Sequence, residues 1–223
     1  MDMQPKRRTN LERRIDIPLA FQLVLLLRTR KEALYLCTRS SLALRIAILC
    51  ELSVEHVLEL RNGVVKVIKA PERNISKDFA HKISEISLNP RDLLEYLNGE
   101  RGRLAGVENL RKKIYSEMQS KGLIRVSKGV IFNKIRIQNA DIWQNIYEKI
   151  IYEVQNSRIS KESIILLTCL NYVNTMESLL LQCNESTASL IVQQMSEIKK
   201  RIQNKQYAPE DSLMYQFLSF MII

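Results

Sequence analysis

Apolar positions along this chain recur with two periods, and most blocks follow the helical one. SSLALRIAILCELSVEHVLEL (40–60) is apolar nearly all round in its first half, the mark of a helix buried on every side. Ser40 suits a cap at its start. Upstream, IPLAFQLVLLL predicts a helix opening near Pro18, where proline fits a first turn. EALYLC (32–37) reads equally as strand or loop. DFAHKISEI and PRDLLEYLNGE predict two shorter helices, the second stopping at Asn98-Gly99. Val107, Leu110, Ile114 and Met118 then recur at i, i+3, i+7 and i+11, one stripe of a helix over 105–120 that Gly122 ends. Arg111 lies at the edge of that stripe. Three longer helices follow over 141–155, 161–181 and 185–203, the last with Ile191, Met195, Ile198 and Ile202 as a core-facing stripe. SLMYQFLSFMII closes the chain as a core helix.

Two stretches depart from this period. RNGVVKVIKAP (61–71) reads as a turn with a β-strand or hairpin, and LIRVSKGVIFNKIRIQ as a hairpin over about 123–137 turning at Ser127-Lys128-Gly129. The predicted fold is mainly α: a single helical domain over 17–223 with central buried helices and a protruding β-hairpin. A basic tail over 1–16, expected to be disordered, precedes it. No apolar run reaches the roughly 20 residues that span a bilayer, and the first residues lack the apolar core of a signal peptide. The expectation is a cytosolic protein whose membrane contact, if any, is peripheral.

Charge changes this picture. The 223 residues carry a net charge of +10, and 101–136 hold ten Lys/Arg against Glu108 and Glu117. Such a local positive field attracts polyanions, whether nucleic acid or an anionic membrane. Catalytic signatures do not accompany it. The two histidines, His56 and His81, are isolated, and with six glycines there is no P-loop or dinucleotide spacing. Cys37, Cys50, Cys169 and Cys183 form no CxxC pair, so neither a zinc site nor any other metal or cofactor is expected. Cys50 and Cys169 sit in apolar runs and read as buried thiols. Glu51, Glu55 and Glu59, at i, i+4 spacing, read as a solvated helix face. The expectation is a binding protein, not an enzyme.

Arg45 stands out because its neighbours in LALRIAILC predict burial. A buried guanidinium requires a carboxylate, a carbonyl or an external anion. Its planar fork of donors also suits a phosphate. Arg111, with Lys112 and Lys113 beside it, is a second candidate, although those two lysines also fit a solvated face. At the hairpin tip, Lys128 followed by Val130, Ile131 and Phe132 suits shallow insertion among lipid headgroups. The same residues suit packing on the preceding helix or a subunit interface.

Taken in order, several segments resemble the Golgi phosphoprotein 3 family: RIDIPLAFQLVLLLRTRKEALYL, SSLALRIAILCELSVEHVLEL with its Ser-x-x-Leu-Arg helix, DLLEYLNGE, VENLRKKIYSEMQSKGLIRV and KESIILLTCLNYVNTMESLL. The likeness runs over about 14–222. It implies a non-enzymatic helical domain with a hairpin, peripheral on the cytosolic face of the Golgi. The family binds phosphatidylinositol 4-phosphate, holds cytosolic tails of glycosyltransferases and engages the coatomer coat, retaining those enzymes in the Golgi. Of the family's lipid pocket, Arg45 matches the helix arginine and Arg111 the second of two spaced basic residues. The first of that pair falls on Glu108, a charge reversal, and the family's tryptophan on Leu36. Arg39 and Lys112 are the cations placed to compensate. Lys6, Arg7 and Arg8 correspond to the family's coatomer-binding basic tail, and the hairpin is a possible route to a homo-oligomer.

Two other readings compete. One is a winged-helix nucleic-acid module using 105–137, disfavoured because its basic helix shares an apolar stripe and shows no base-reading cluster. The other is a protein-interaction scaffold of the same family that has lost lipid binding through Glu108 and Leu36.

Overall fold

A computed structural model describes residues 17–27, 38–99, 107, 109–127 and 134–222. In chain order the elements are α1 (Leu19–Leu27), α2 (Thr38–Val54), β1 (Leu58–Arg61), β2 (Val64–Val67), α3 (Asn74–Ser84), α4 (Pro90–Asn98), α5 (Leu110–Ser120), β3 (Ile124–Ser127), β4 (Lys134–Ile137), α6 (Ala140–Gln155), α7 (Lys161–Tyr172), α8 (Met176–Leu180), α9 (Glu185–Gln203) and α10 (Ser212–Ser219). The fold is mainly α, with two small antiparallel ribbons, β1–β2 and β3–β4. Among the described residues no helix is long and apolar enough to cross a membrane.

The all-round apolar segments form the centre. Every residue of α1 is buried, as is α2 from Ala43 to Ser53 and α7 from Ser163 to Leu170. These three helices pack on one another, and α10 lies along α2. Phe21, Phe79 and Phe217 are fully enclosed, each stabilising the fold by roughly 2–3 kcal/mol relative to exposure. The amphipathic helices close around this centre, with Leu110, Ile114 and Met118 of α5 and Ile191, Met195, Ile198 and Ile202 of α9 turned inward. The stripes read from the sequence are thus core stripes. Cys50 and Cys169 are buried thiols, as their neighbours indicate.

Several boundaries differ from the sequence reading. The helix predicted over 40–60 stops at Val54, because His56 takes a left-handed conformation (φ 53°) and Val57 N–H turns back to Leu52 O at 2.8 Å. Leu58–Arg61 is instead a strand, paired in register with β2 through Leu58↔Val67 and Arg61↔Val64. Asn62 (φ 52°) and Gly63 (φ 76°) make the connecting turn. This is the Asn-Gly two-residue hairpin, whose twist matches that of the strands. Ser40 lies inside α2 rather than capping it. The helix predicted over 161–181 breaks into α7 and α8 at Asn174 (φ 59°), where Thr175 donates both its N–H and its hydroxyl to Leu170 O. α5 starts at Leu110 after a left-handed Asn109, not at 105. The expected stops at Gly99 (φ 83°) and Gly122 (φ 67°) are present.

A Cβ at Gly63 would meet nothing within 4 Å, so Gly63→Ala tests backbone strain alone. A loss of about 1 kcal/mol is expected in urea denaturation. An unchanged midpoint would mean that the turn carries no strain.

Candidate functional site

Arg45 is the centre of the site. It extends from the middle of α2 and is 9% exposed. Its Nε donates to Leu97 O at the end of α4 (3.0 Å) and its Nη2 to Val107 O (3.3 Å). Nη1 donates to Ser41 Oγ (2.5 Å) and to Ser41 O (3.2 Å), one turn earlier. Of the three partners open from sequence, the described structure supplies carbonyls and a hydroxyl. The guanidinium is therefore pinned by neutral acceptors, and its positive charge is not offset by them.

Arg111 adds a second charge nearby. It lies in the first turn of α5, half-buried, with Nη2 donating to Ser40 Oγ at 3.2 Å. Burial first, and the positive charge of Arg111 second, hold Arg45 below the ordinary guanidinium value. Between the two helices opens a cavity of about 600 Å³ lined by Ser41, Arg45, Asn109, Arg111, Lys112 and Tyr115, extending along α5 to Ser116 and Gln119 and to Val126 of β3. No carboxylate lines it among the described residues. Asn109 makes no side-chain cap, so the first amides of α5 add the partial positive charge of a helix start to the same wall. Two guanidiniums, an ammonium and a helix start concentrate positive charge on one cavity of a volume usual for small-molecule pockets, an arrangement chemically suited to an anion.

The remaining sequence candidates fall elsewhere. Lys112 lines the cavity as expected and is exposed, whereas Lys113 turns away to an ion pair with Asp78 at 2.5 Å. Arg39 does not join the cavity. It is exposed, its guanidinium 5.8 Å from the centre of the Tyr172 ring, a cation–π contact at the far end of α7. Leu36, Glu108, Lys128, Val130, Ile131, Phe132, Lys6, Arg7 and Arg8 lie outside the described residues. Tyr115, Ser116 and Gln119 escaped the sequence reading. Their i+4 and i+7 spacing from Arg111 and Lys112 was the signal that could have found them.

The acidic residues of 51–59 also differ from expectation. Glu51 is 6% exposed, not solvated. Its carboxylate accepts from Leu19 N–H at the start of α1 (2.9 Å) and from Arg73 (2.5 Å), which also holds Glu55 at 3.0 Å. Glu59 lies on β1 and pairs with Arg61. His81 faces only the Glu85 carboxylate one turn on, at 3.6 Å, and no cluster of three or more residues suited to a metal exists among the described residues.

No protein-family model and no curated protein matches the chain.

Proposed function

We propose that the chain is a peripheral membrane adaptor that recognises a phosphorylated lipid headgroup, phosphatidylinositol 4-phosphate, in the cavity between α2 and α5. The observation that carries this reading is the Arg45–Arg111 pair. Two guanidiniums face one cavity with no lining carboxylate described, and a phosphate between them would relieve their repulsion while taking charge-assisted hydrogen bonds. The resemblance of the quoted segments to the Golgi phosphoprotein 3 family extends the reading to Golgi membranes. It adds glycosyltransferase tails and the coatomer coat as partners, with Lys6, Arg7 and Arg8 as the coat-binding tail. Burial of Leu110, Ile114 and Met118 speaks against α5 as a groove-reading helix.

Arg111→Gln is the test, because Arg111 is half-buried and its loss leaves the core intact. Removing one charge-assisted contact weakens binding to vesicles containing phosphatidylinositol 4-phosphate by roughly 10- to 100-fold, with the melting temperature unchanged. Equal flotation of the wild-type chain on vesicles with and without that lipid would overturn the headgroup reading. A shift of duplex DNA that Arg111→Gln abolishes would replace it with the nucleic-acid one.

A further inference from the structure

The β3–β4 ribbon pairs Ile124↔Ile137, Arg125↔Arg136 and Val126↔Ile135. Alternation along a strand sends these pairs to opposite faces. Ile124 is buried, Val126, Ile135 and Ile137 pack against the core, and Val126 also reaches the cavity wall. Arg125 and Arg136 therefore share the outer face, directly across from one another, and both are exposed. Like charges in directly opposite positions destabilise a ribbon, and neither arginine has an acidic partner among the described residues. A fold-stabilising role does not explain the pair; an external anion does.

We propose that this outer face is a second membrane contact, which takes the phosphates of bulk anionic lipid such as phosphatidylserine without reading headgroup stereochemistry. The inference rests on the peripheral-membrane reading of the α2–α5 cavity. Charge complementarity selects the occupant. Its strands are four residues long, about 13 Å, and among the described residues this face offers two adjacent cations, its reverse being committed to the core. That footprint is short for a duplex, which specific binders engage through many phosphates, but sufficient for a surface where each cation adds independently. Membrane residence then depends on two lipids at once, one in the cavity and one class under the ribbon.

The full-length chain is floated on vesicles of phosphatidylcholine alone, with phosphatidylserine, with phosphatidylinositol 4-phosphate, and with both. Arg125→Gln/Arg136→Gln is expected to weaken binding to phosphatidylserine vesicles by about 30-fold, and to leave the binding of free inositol 1,4-bisphosphate unchanged. Arg111→Gln is expected to do the reverse. Arg125→Lys/Arg136→Lys, which keeps charge but loses the fork, should retain phosphatidylserine binding. The glutamine variant should melt at or above the wild-type temperature, since it relieves repulsion.

Unchanged binding of the glutamine variant to phosphatidylserine vesicles would overturn the proposal. So would equal loss in the lysine variant, or a stronger effect on duplex DNA than on vesicles. A wild-type chain indifferent to phosphatidylinositol 4-phosphate, whose phosphatidylserine binding still falls in the glutamine variant, would overturn the cavity reading and support the ribbon.

Discussion

Arg45→Met lowers the stability of the fold by about 2 kcal/mol, read as a lower urea midpoint at unchanged slope. Two effects oppose each other. Methionine fills much of the same volume and removes a buried charge that both burial and Arg111 disfavour, which alone would stabilise. It also strands Leu97 O and Val107 O, two carbonyls that Arg45 now satisfies. Each such loss costs about 1–3 kcal/mol, and the second effect wins because the hydrogen bonds of Arg45 to Leu97 O, Val107 O and Ser41 already offset much of its burial. Arg45→Lys separates the roles. It keeps the charge, but a single ammonium cannot span α4, residue 107 and Ser41 as the planar fork does. It should therefore be destabilised while retaining part of any phosphate binding. A methionine variant as stable as the wild type would mean that Arg45 is not a strut, and that its burial serves a ligand alone.

The helices were legible wherever burial imposes a pattern. The apolar runs of α1, α2 and α7 and the stripes of α5 and α9 recur in the core as read. The two helices read too long share one cause: single residues in left-handed backbone, His56 and Asn174, interrupt apolar periodicity that continues past them. Leu58 and Leu60 continue the spacing of α2 as well as they alternate along β1, so hydrophobicity could not separate the two. The Asn62-Gly63 turn was the signal that could.

At the site, Arg45, Arg111 and Lys112 were legible because an arginine inside an apolar run and a basic residue at a stripe edge are each anomalies. Arg39 was not placed correctly. Its nearness in sequence to Arg45 suggested a shared pocket, but six positions along a helix leave two side chains about 120° apart, and its ring partner Tyr172 lies on another helix. The cross-strand arginine pair was invisible until the register was known, since one residue of slip would have set each against an isoleucine or valine.

Glu51→Gln stabilises the protein above neutral pH, by as much as about 3 kcal/mol, with a gain that fades toward acid. The buried Glu51 carboxyl has one strong cation, Arg73, and shares it with Glu55 one turn away. Leu19 N–H and Arg73 favour the ionised form, but burial outweighs them and Glu55 repels it, so the group is pushed up to about 7 from an ordinary 4.5. For a carboxyl raised in the folded state, the folded chain binds the proton more tightly than the unfolded chain. Its contribution to stability is therefore fully present below about pH 4.5 and is lost as pH rises through about 7. A gap of that size corresponds to about 3 kcal/mol, and glutamine removes it while still accepting from Leu19 N–H, leaving Arg73 with Glu55. Urea midpoints of both chains across the acid-to-alkaline range should diverge as pH rises and then run parallel. A constant offset, or a glutamine variant less stable at alkaline pH, would show that the Arg73 pair outweighs burial and that Glu51 is ionised at little cost.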